Sequence, residues 1–180
     1  TPRRQRIMTN TTTSPMAAGG DDTTAVGFTL NGSDVSARHD HPHLLAALRE
    51  ELDITSPKDG CSPTGQCGCC TVLIDGKARV SCQTSMEKVA GSDVVTLEGM
   101  PADEVNRMAD AFAACGALQC GFCTPGIAMS LAVLHARHQR QIDQGEVIDA
   151  RQRDTMIDHA LGGNLCRCTG YRPIVDAASM

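Results

Sequence analysis

The sequence is poor in aromatic residues, with no Trp, one Tyr and three Phe among 180 residues. Aromatic burial therefore contributes little to the core, and the chain lacks the stacking residues of a single-strand nucleic-acid binder. It also lacks an excess of positive charge, because 16 Lys and Arg face 21 Asp and Glu for a net charge of −5. No apolar run reaches the ~18 residues of a membrane span. Neither nucleic acid nor a bilayer is expected as a partner.

Cysteine, in contrast, is abundant, with ten residues in a chain of average hydrophobic content. A secreted disulfide-rich protein would need a signal peptide, and residues 1–22 contain no apolar segment of that kind. The pair Arg3-Arg4 is followed by Thr, Asn, Ser and Gly, which favours a disordered tail over a twin-arginine signal. Met8 is a possible start of the native protein. We therefore expect a cytoplasmic protein whose thiols are metal ligands.

Residues 23–99 carry the pattern of a small β-rich domain. Asn31-Gly32 and Asp75-Gly76 are hairpin turns, each flanked by alternating apolar residues. Leucines at helical spacing predict a short helix over residues 44–52, between the two hairpins. A last short strand is expected at Val95 and Leu97. The segment 53–70 contains too many Gly and Pro for regular structure, which indicates a functional loop.

Residues 100–180 carry the apolar period of helices. A first helix is predicted around residues 105–112, ending near Gly116, and a second begins at Thr124-Pro125. A third helix is expected from Asp149 to Leu161, and Pro173 begins a short fourth one. The polar insert at residues 137–153 is interpreted as a helix extension and a solvated turn, and a contact surface for another subunit is the alternative. These helices predict a compact bundle after a domain boundary near residue 100.

Five cysteines lie in one stretch, at Cys61, Cys67, Cys69, Cys70 and Cys82. A plant-type [2Fe–2S] site uses Cys-x4-Cys-x2-Cys and a distant fourth Cys. The set Cys61, Cys67, Cys70 and Cys82 gives this pattern with one extra residue in the first gap. Cys69 is then spare, although it replaces Cys70 if the loop shifts its register. A four-thiolate zinc site is the alternative, but such sites usually have two Cys-x2-Cys pairs, and this stretch has one.

The second group consists of Cys120, Cys123, Cys166 and Cys168. Cys123 lies just before a predicted helix N-terminus, where the helix dipole and free amide groups favour negative charge. Cys166 and Cys168 form a Cys-x-Cys pair, which is too tight for an ordinary zinc knuckle. Antiparallel helices can bring the two pairs together. Cys115 is left over, and a buried, unreactive thiol is expected there.

The two groups together resemble a known family. CGALQCGFCTPG followed by NLCRCTGYRP is similar to the helical iron–sulfur domain of the molybdenum hydroxylases, the xanthine dehydrogenase and aldehyde oxidoreductase family. CSPTGQCGCC with its distant Cys resembles their plant-ferredoxin-like domain. The resemblance covers about residues 24–178. It implies an α+β fold, with a β-grasp ferredoxin-like domain at 23–99 and a four-helix-bundle [2Fe–2S] domain at 100–180, after the tail at 1–22.

The resemblance also implies a function. Two [2Fe–2S] clusters would pass electrons from a molybdenum–pterin centre on a large subunit to FAD on a medium subunit, in an assembly that is a dimer of heterotrimers. Cys120, Cys123, Cys166 and Cys168 would hold the cluster nearer molybdenum, and Cys61, Cys67, Cys70 and Cys82 the one nearer the flavin. Gln119 matches a glutamine that contacts the pterin in relatives; otherwise it is a surface polar residue. No substrate site is expected on this chain. A stand-alone ferredoxin or iron–sulfur redox sensor is the alternative.

Other chemistry-bearing residues receive simpler interpretations. The string HDHPH at residues 39–43 lies near a helix start without nearby cysteines, which predicts an exposed cap region and no metal. Methionines at helical positions are expected in the core. Tyr171 is expected to pack over the second cluster loop.

Overall fold

The computed structural model describes residues 25–180, so the predicted tail and the Arg3-Arg4 pair lie outside the described residues. The described part has five strands in one sheet and five α-helices. The α+β class predicted from the sequence is therefore confirmed.

The sheet is built from two hairpins and one bridging strand. Strands β1 (Ala25–Leu30) and β2 (Ser33–Arg38) are antiparallel, as are β3 (Thr71–Ile74) and β4 (Lys77–Val80). Strand β5 (Asp93–Val95) lies between the hairpins, parallel to β1 and antiparallel to β3. The strand order is thus β2-β1-β5-β3-β4.

Both predicted hairpin turns are confirmed. Asn31 and Gly32 have φ of 52° and 80°, and Asp75 and Gly76 have φ of 49° and 71°. Two successive positive φ values give a turn whose twist matches that of paired strands, and Asn-Gly and Asp-Gly are the pairs that tolerate it. The second hairpin begins where the cysteine-rich loop, residues 53–70, ends.

The helices follow the apolar periodicity closely. Helix α1 (Leu44–Ala46) continues as a π-helical turn over Ala47–Glu51. The remaining helices form the second half of the molecule: α2 (Ala102–Ala114), α3 (Thr124–Asp143), α4 (Ala150–Leu161) and α5 (Arg172–Ala178).

The polar insert is part of helix α3 and the turn after it. Helix α3 runs on to Asp143, and Asp149 caps α4 through reciprocal hydrogen bonds with Gln152. Such a capping box satisfies two of the free amide groups at a helix start. The predicted helix extension and turn are therefore confirmed.

Each half has its own apolar core. Val26, Phe28, Leu48, Val72 and Val94 are among the residues that pack between the sheet and α1. The helical core is formed mainly by α2, α3, α4 and α5, and it contains one buried aromatic ring, that of Phe112. Most of the buried apolar surface thus belongs to aliphatic side chains and methionine, as the shortage of aromatic residues predicts.

Two expectations need correction. The last strand does not include Leu97, because buried Thr96 turns the chain by donating its amide proton to Asn31 Oδ1 at 2.8 Å. His41 is buried and lies 2.7 Å from a Glu51 carboxylate oxygen, whereas exposed positions were expected throughout residues 39–43. His43 does cap α1, through a hydrogen bond from Ala46 N–H to its Nδ1.

Candidate metal centres

The first candidate tetrad lies in the irregular loop after α1 and in the turn after β4. Cys67, Cys70 and Cys82 are buried and Cys61 is half-buried. Ser81 binds the Cys70 carbonyl twice, through its amide at 3.2 Å and its hydroxyl at 2.8 Å. This double contact fastens the loop to the buried turn after the second hairpin, beside Cys82.

The sulfurs of this tetrad interact in two pairs. A hydrogen bond from the Thr64 hydroxyl lowers the pKa of Cys61 to about 6, and contacts with Cys67 contribute in the same direction. Burial raises the pKa of Cys70 to about 12, and its thiol is hydrogen bonded to that of Cys82. A metal ion removes such thiol protons on binding, because the thiolate is the ligand form. Cys61 thus pairs with Cys67, which also contacts Cys69, and Cys70 pairs with Cys82.

Gly60 has no side chain, and the space that this leaves is occupied by the sulfurs. A Cβ at this position would lie 3.0 Å from Cys67 Sγ, 3.2 Å from Cys69 Sγ and 3.2 Å from a ring carbon of Phe122. Phe122 belongs to the loop of the second tetrad, between Cys120 and Cys123. The two cysteine loops therefore touch at Gly60.

The second candidate tetrad lies at the start of α3 and in the loop between α4 and α5. Cys120 and Cys168 are exposed, and their sulfurs are 3.4 Å apart. Cys123 and Cys166 are half-buried, and their thiols are hydrogen bonded to each other. As in the first tetrad, the sulfurs form two pairs.

Backbone and hydroxyl donors stabilise thiolates in this second loop. The Phe122 amide lowers the pKa of Cys120. Burial alone would raise the pKa of Cys166, but hydrogen bonds from the Thr169 hydroxyl, 3.1 Å away, and its amide bring it below its usual value. Burial raises the pKa of Cys123 to about 12. Donors aimed at sulfur are the arrangement that stabilises an anionic cluster.

Tyr171 stabilises the same loop by hydrogen bonds as well as by position. Its hydroxyl donates to the Asn164 carbonyl at 2.9 Å and accepts from the Cys166 amide at 3.0 Å. Its backbone has φ of 69°, which is uncommon for a residue other than glycine. Sequence reasoning missed these bonds and those of Thr64 and Thr169. The sequence does contain a signal for these bonds, because each of the three hydroxyl residues lies within three positions of a cysteine.

The chemistry of the donor sets fits [2Fe–2S] clusters. Within residues 25–180, no three His, Cys, Asp or Glu side chains form a ligand set for one metal ion. A [2Fe–2S] cluster has two irons, and four cysteines serve them as two pairs of thiolates. Both tetrads show this pairing. The structure thus places the eight predicted ligands in four pairs, and it leaves Cys115 apart, half-buried beside Met180.

Cys69 and Gln119 occupy different surroundings. Cys69 is buried at 4% exposure, next to Cys67 and facing the second tetrad. Gln119 is exposed beside Cys120, at the surface of the second tetrad. A partner molecule can therefore reach Gln119 directly, whereas Cys69 is enclosed by the protein.

Comparison with known proteins identifies the family. The family model for a [2Fe-2S] binding domain matches residues 96–179. The xanthine dehydrogenase iron–sulfur-binding subunit of Escherichia coli O157:H7 is 36% identical over 86% of this chain and 92% of its own length. This chain belongs to the iron–sulfur subunits of the xanthine dehydrogenase and aldehyde oxidoreductase family. The predicted resemblance is confirmed, and the chain is an iron–sulfur component of an oxidoreductase.

Solved structures and larger relatives agree with this xanthine dehydrogenase-type assignment. A chain of quinoline 2-oxidoreductase from Pseudomonas putida 86 superposes with a TM-score of 0.72 at 34% identity, over 86% of this chain and 89% of that chain. The aldehyde oxidoreductase of Megalodesulfovibrio gigas is 38% identical over 83% of this chain. This chain spans 16% of that relative's length and 11% of bovine aldehyde oxidase 1. Among the described helices, none has the length and apolar character to cross a membrane.

Proposed function

We propose that this chain holds two [2Fe–2S] clusters and relays single electrons between two larger partners. The donor would be a molybdenum–pterin centre on a large subunit, where a water-derived oxygen is inserted into a C–H bond. The acceptor would be FAD on a medium subunit. The substrate would be a purine, another N-heterocycle, an aldehyde or a similar compound. This chain would supply ligation, insulation and docking, which are the protein's contribution when a cofactor carries the chemistry.

The main observation that supports this proposal is the arrangement of the eight cysteine sulfurs in four pairs. Two tetrads of two pairs each match the needs of two di-iron clusters, and neither tetrad matches a single zinc ion with four converging thiolates. In the second tetrad, amide and hydroxyl donors lower the pKa of Cys120 and Cys166. Such donors favour the thiolate form that iron requires.

The exposure of the second tetrad supports the order of electron flow. Cys120 and Cys168 reach the surface, and three large apolar residues of the same two loops are also exposed: Leu118 at 42%, Phe122 at 44% and Leu165 at 56%. Apolar residues grouped at a surface are typical of an interaction site. We assign this face to the molybdenum–pterin subunit, with Gln119 contacting the pterin. The more enclosed first tetrad would then serve the flavin side.

Metal analysis and electron paramagnetic resonance test the proposal. The anaerobically prepared chain should contain two irons in each of two clusters, and the reduced protein should show two distinct S = 1/2 signals. A zinc protein would be colourless and silent in this measurement. One signal, or none, would contradict the proposal.

Copurification tests the assignment of partners. The native complex should retain a molybdenum–pterin chain and a flavin chain, recognised by their bound cofactors and identified by mass spectrometry. A stand-alone ferredoxin or redox sensor would purify without them. Recovery of the chain alone from gently lysed cells, with both clusters intact, would favour that alternative.

A further inference from the structure

The two candidate tetrads are joined by direct hydrogen bonds between their loops. Leu165 N–H donates to the Cys67 carbonyl at 2.8 Å. The Asn164 side-chain amide donates to the carbonyl of Gly68 at 3.1 Å. Cys67 belongs to the first tetrad, and Leu165 directly precedes Cys166 of the second. The separation of the two centres therefore depends on this contact.

Asn164 is held rigidly within this contact. Its side chain is buried, with 4% of the residue exposed, and its Oδ1 accepts a hydrogen bond from the Ser130 hydroxyl of α3 at 2.9 Å. The Gly68 carbonyl can only accept, so the Asn164 group facing it must be the NH2 donor. The Asn164 carbonyl is held in turn by Tyr171. One side chain thus connects α3, the second cysteine loop and the first cysteine loop.

The backbones at this contact leave no room for adjustment. A Cβ on Gly68 would lie 2.2 Å from the Gly163 carbonyl oxygen, and a Cβ on Gly126 would lie 2.2 Å from the Gly68 carbonyl oxygen. Both distances are far shorter than a carbon and an oxygen can approach. The loops are therefore in backbone-to-backbone contact, and no water fits between them.

We propose that Asn164 is a positioning residue for electron transfer between the two centres. Asn164 ligates neither cluster. It fixes the distance between the two ligand-bearing loops, because its side chain donates to Gly68 and is itself held by Ser130. The inference rests on the proposed function, because a distance between clusters has meaning only if both clusters bind. Electron transfer and magnetic coupling both weaken steeply with distance, so both depend on this side chain.

Asn164→Asp isolates the bond to Gly68. The substitution keeps size and shape and keeps an acceptor for Ser130, but it places a carboxylate oxygen against the Gly68 carbonyl. The loss of a buried donor lowers the equilibrium constant for forming this contact roughly 10- to 100-fold. Asn106→Asp, at an exposed position of α2, makes the same chemical change away from the contact and is the matched control.

The test measures the magnetic coupling between the two reduced clusters in the full chain, together with iron content. We expect Asn164→Asp to keep all its iron while the splitting from coupling weakens, and Asn106→Asp to match the unmodified chain. Hydrogen exchange of the Leu165 amide should rise at least tenfold in Asn164→Asp alone. This second measurement reports the contact itself, independently of the clusters.

The outcomes separate the two proposals. Full iron with unchanged coupling and exchange in Asn164→Asp would overturn the positioning role and leave the proposed function intact. An unmodified chain without two clusters would overturn the proposed function instead. If Asn164→Asp does not fold, Ser130→Ala tests the positioning role instead, because it removes only the hydrogen bond from the Ser130 hydroxyl to Asn164. Faster Leu165 exchange and weaker coupling in that variant are expected, and values equal to those of the unmodified chain would contradict the proposal.

Discussion

Small polar residues next to the cysteines set the state of the thiols. The Thr169 hydroxyl lies 3.1 Å from the Cys166 sulfur, and the Thr64 hydroxyl lies beside Cys61, where it also donates to the Cys61 carbonyl. Each hydroxyl lowers the pKa of the neighbouring thiol. Burial acts in the opposite direction at Cys70 and Cys123. Each tetrad therefore combines thiols that ionise readily with thiols that ionise only when metal binds. Metal binding at both centres should release protons.

We propose that Cys70, and not Cys69, is a ligand, because of where each thiol lies. Cys70 is hydrogen bonded to Cys82, whereas Cys69 lies against Cys67 and faces Cys123. We predict that Cys69→Ala keeps both clusters and full iron content. Cys70→Ala should lose the first cluster, and with it half of the iron, because one iron is left with a single thiolate. Iron analysis and the count of S = 1/2 signals measure the difference.

The second cluster provides the internal control for this pair of variants. Its signal should be retained in both, since neither substitution alters Cys120, Cys123, Cys166 or Cys168. Loss of iron from Cys69→Ala, with full iron in Cys70→Ala, would show that the loop uses the other register.

At the scale of elements, helix α3 contributes to both tetrads. Its N-terminus begins directly after Cys123, and Gly126 in its first turn packs on the backbone of the first cysteine loop. Gln119 and Cys120 lie in the loop that leads into it. The helix therefore fixes the position of one tetrad and presses against the other, and its small residue at 126 is required by that contact.

Gly126→Ala tests this close approach. In an ordinary helix interior the change stabilises by about 1 kcal/mol, since alanine has the higher helix propensity. Here the new Cβ would lie 2.2 Å from the Gly68 carbonyl oxygen. We expect this steric clash to outweigh the gain in helix propensity and to lower the free energy of unfolding by about 2 kcal/mol. Urea denaturation measures the change.

Gly163→Ala is the matched control for this prediction. Its Cβ would meet no atom within 4 Å, and its φ is not in the left-handed region. A near-neutral effect is expected. Equal stability of the Gly126→Ala variant and the unmodified chain would show that α3 and the first cysteine loop are not in backbone contact.

At the scale of the whole molecule, one carboxylate connects segments that are distant in sequence. Glu98 accepts hydrogen bonds from the Ser56 amide at 2.9 Å and from the Thr96 hydroxyl at 2.7 Å, and the Thr96 amide donates to Asn31. The first cysteine loop, the first hairpin turn and the segment leading into α2 meet at this point. These polar contacts therefore join three segments of the sheet half beside the start of the helical half, outside the apolar core of the sheet half.

This carboxylate makes stability depend on pH. Burial would raise the pKa of Glu98, but the hydrogen bonds from Ser56 and Thr96 hold it below its usual value. A carboxyl whose pKa is lower in the folded state contributes stability at neutral pH and loses it as pH falls through the folded-state pKa. We predict that Glu98→Gln lowers the free energy of unfolding by about 1 kcal/mol at neutral pH, since the group is partly exposed. Urea titrations at neutral and acidic pH measure it.

The acid dependence distinguishes this effect from a general loss of packing. The difference between Glu98→Gln and the unmodified chain should shrink toward acidic pH, because the carboxyl is then protonated in both states of the unmodified chain. Glu50→Gln, at an exposed position, is the control and should change stability little at any pH. A pH-independent difference for Glu98→Gln would contradict the assignment.

Local features of the molecule were predictable from the sequence. Asn31-Gly32 and Asp75-Gly76 specify hairpins through backbone preferences that involve only neighbouring residues. Helix α4 begins after Asp149 because a capping box lies within four residues of sequence. The exceptions are residues whose conformation or burial is set by a contact with a residue that is distant in sequence. Leu97 leaves the strand because Thr96 binds Asn31, and His41 is buried because Glu51 lies within reach.

The sequence alone indicated the family and the candidate ligands, apart from the choice between Cys69 and Cys70, since the spacing of Cys within each short motif is a local property. Only the tertiary structure decided which sulfurs meet, such as Cys120 with Cys168 across a separation of 48 residues. It also decided that Asn164 joins the two cysteine loops. The physical reason is that spacing limits how far a chain can reach, whereas contact between distant segments depends on how complete elements pack.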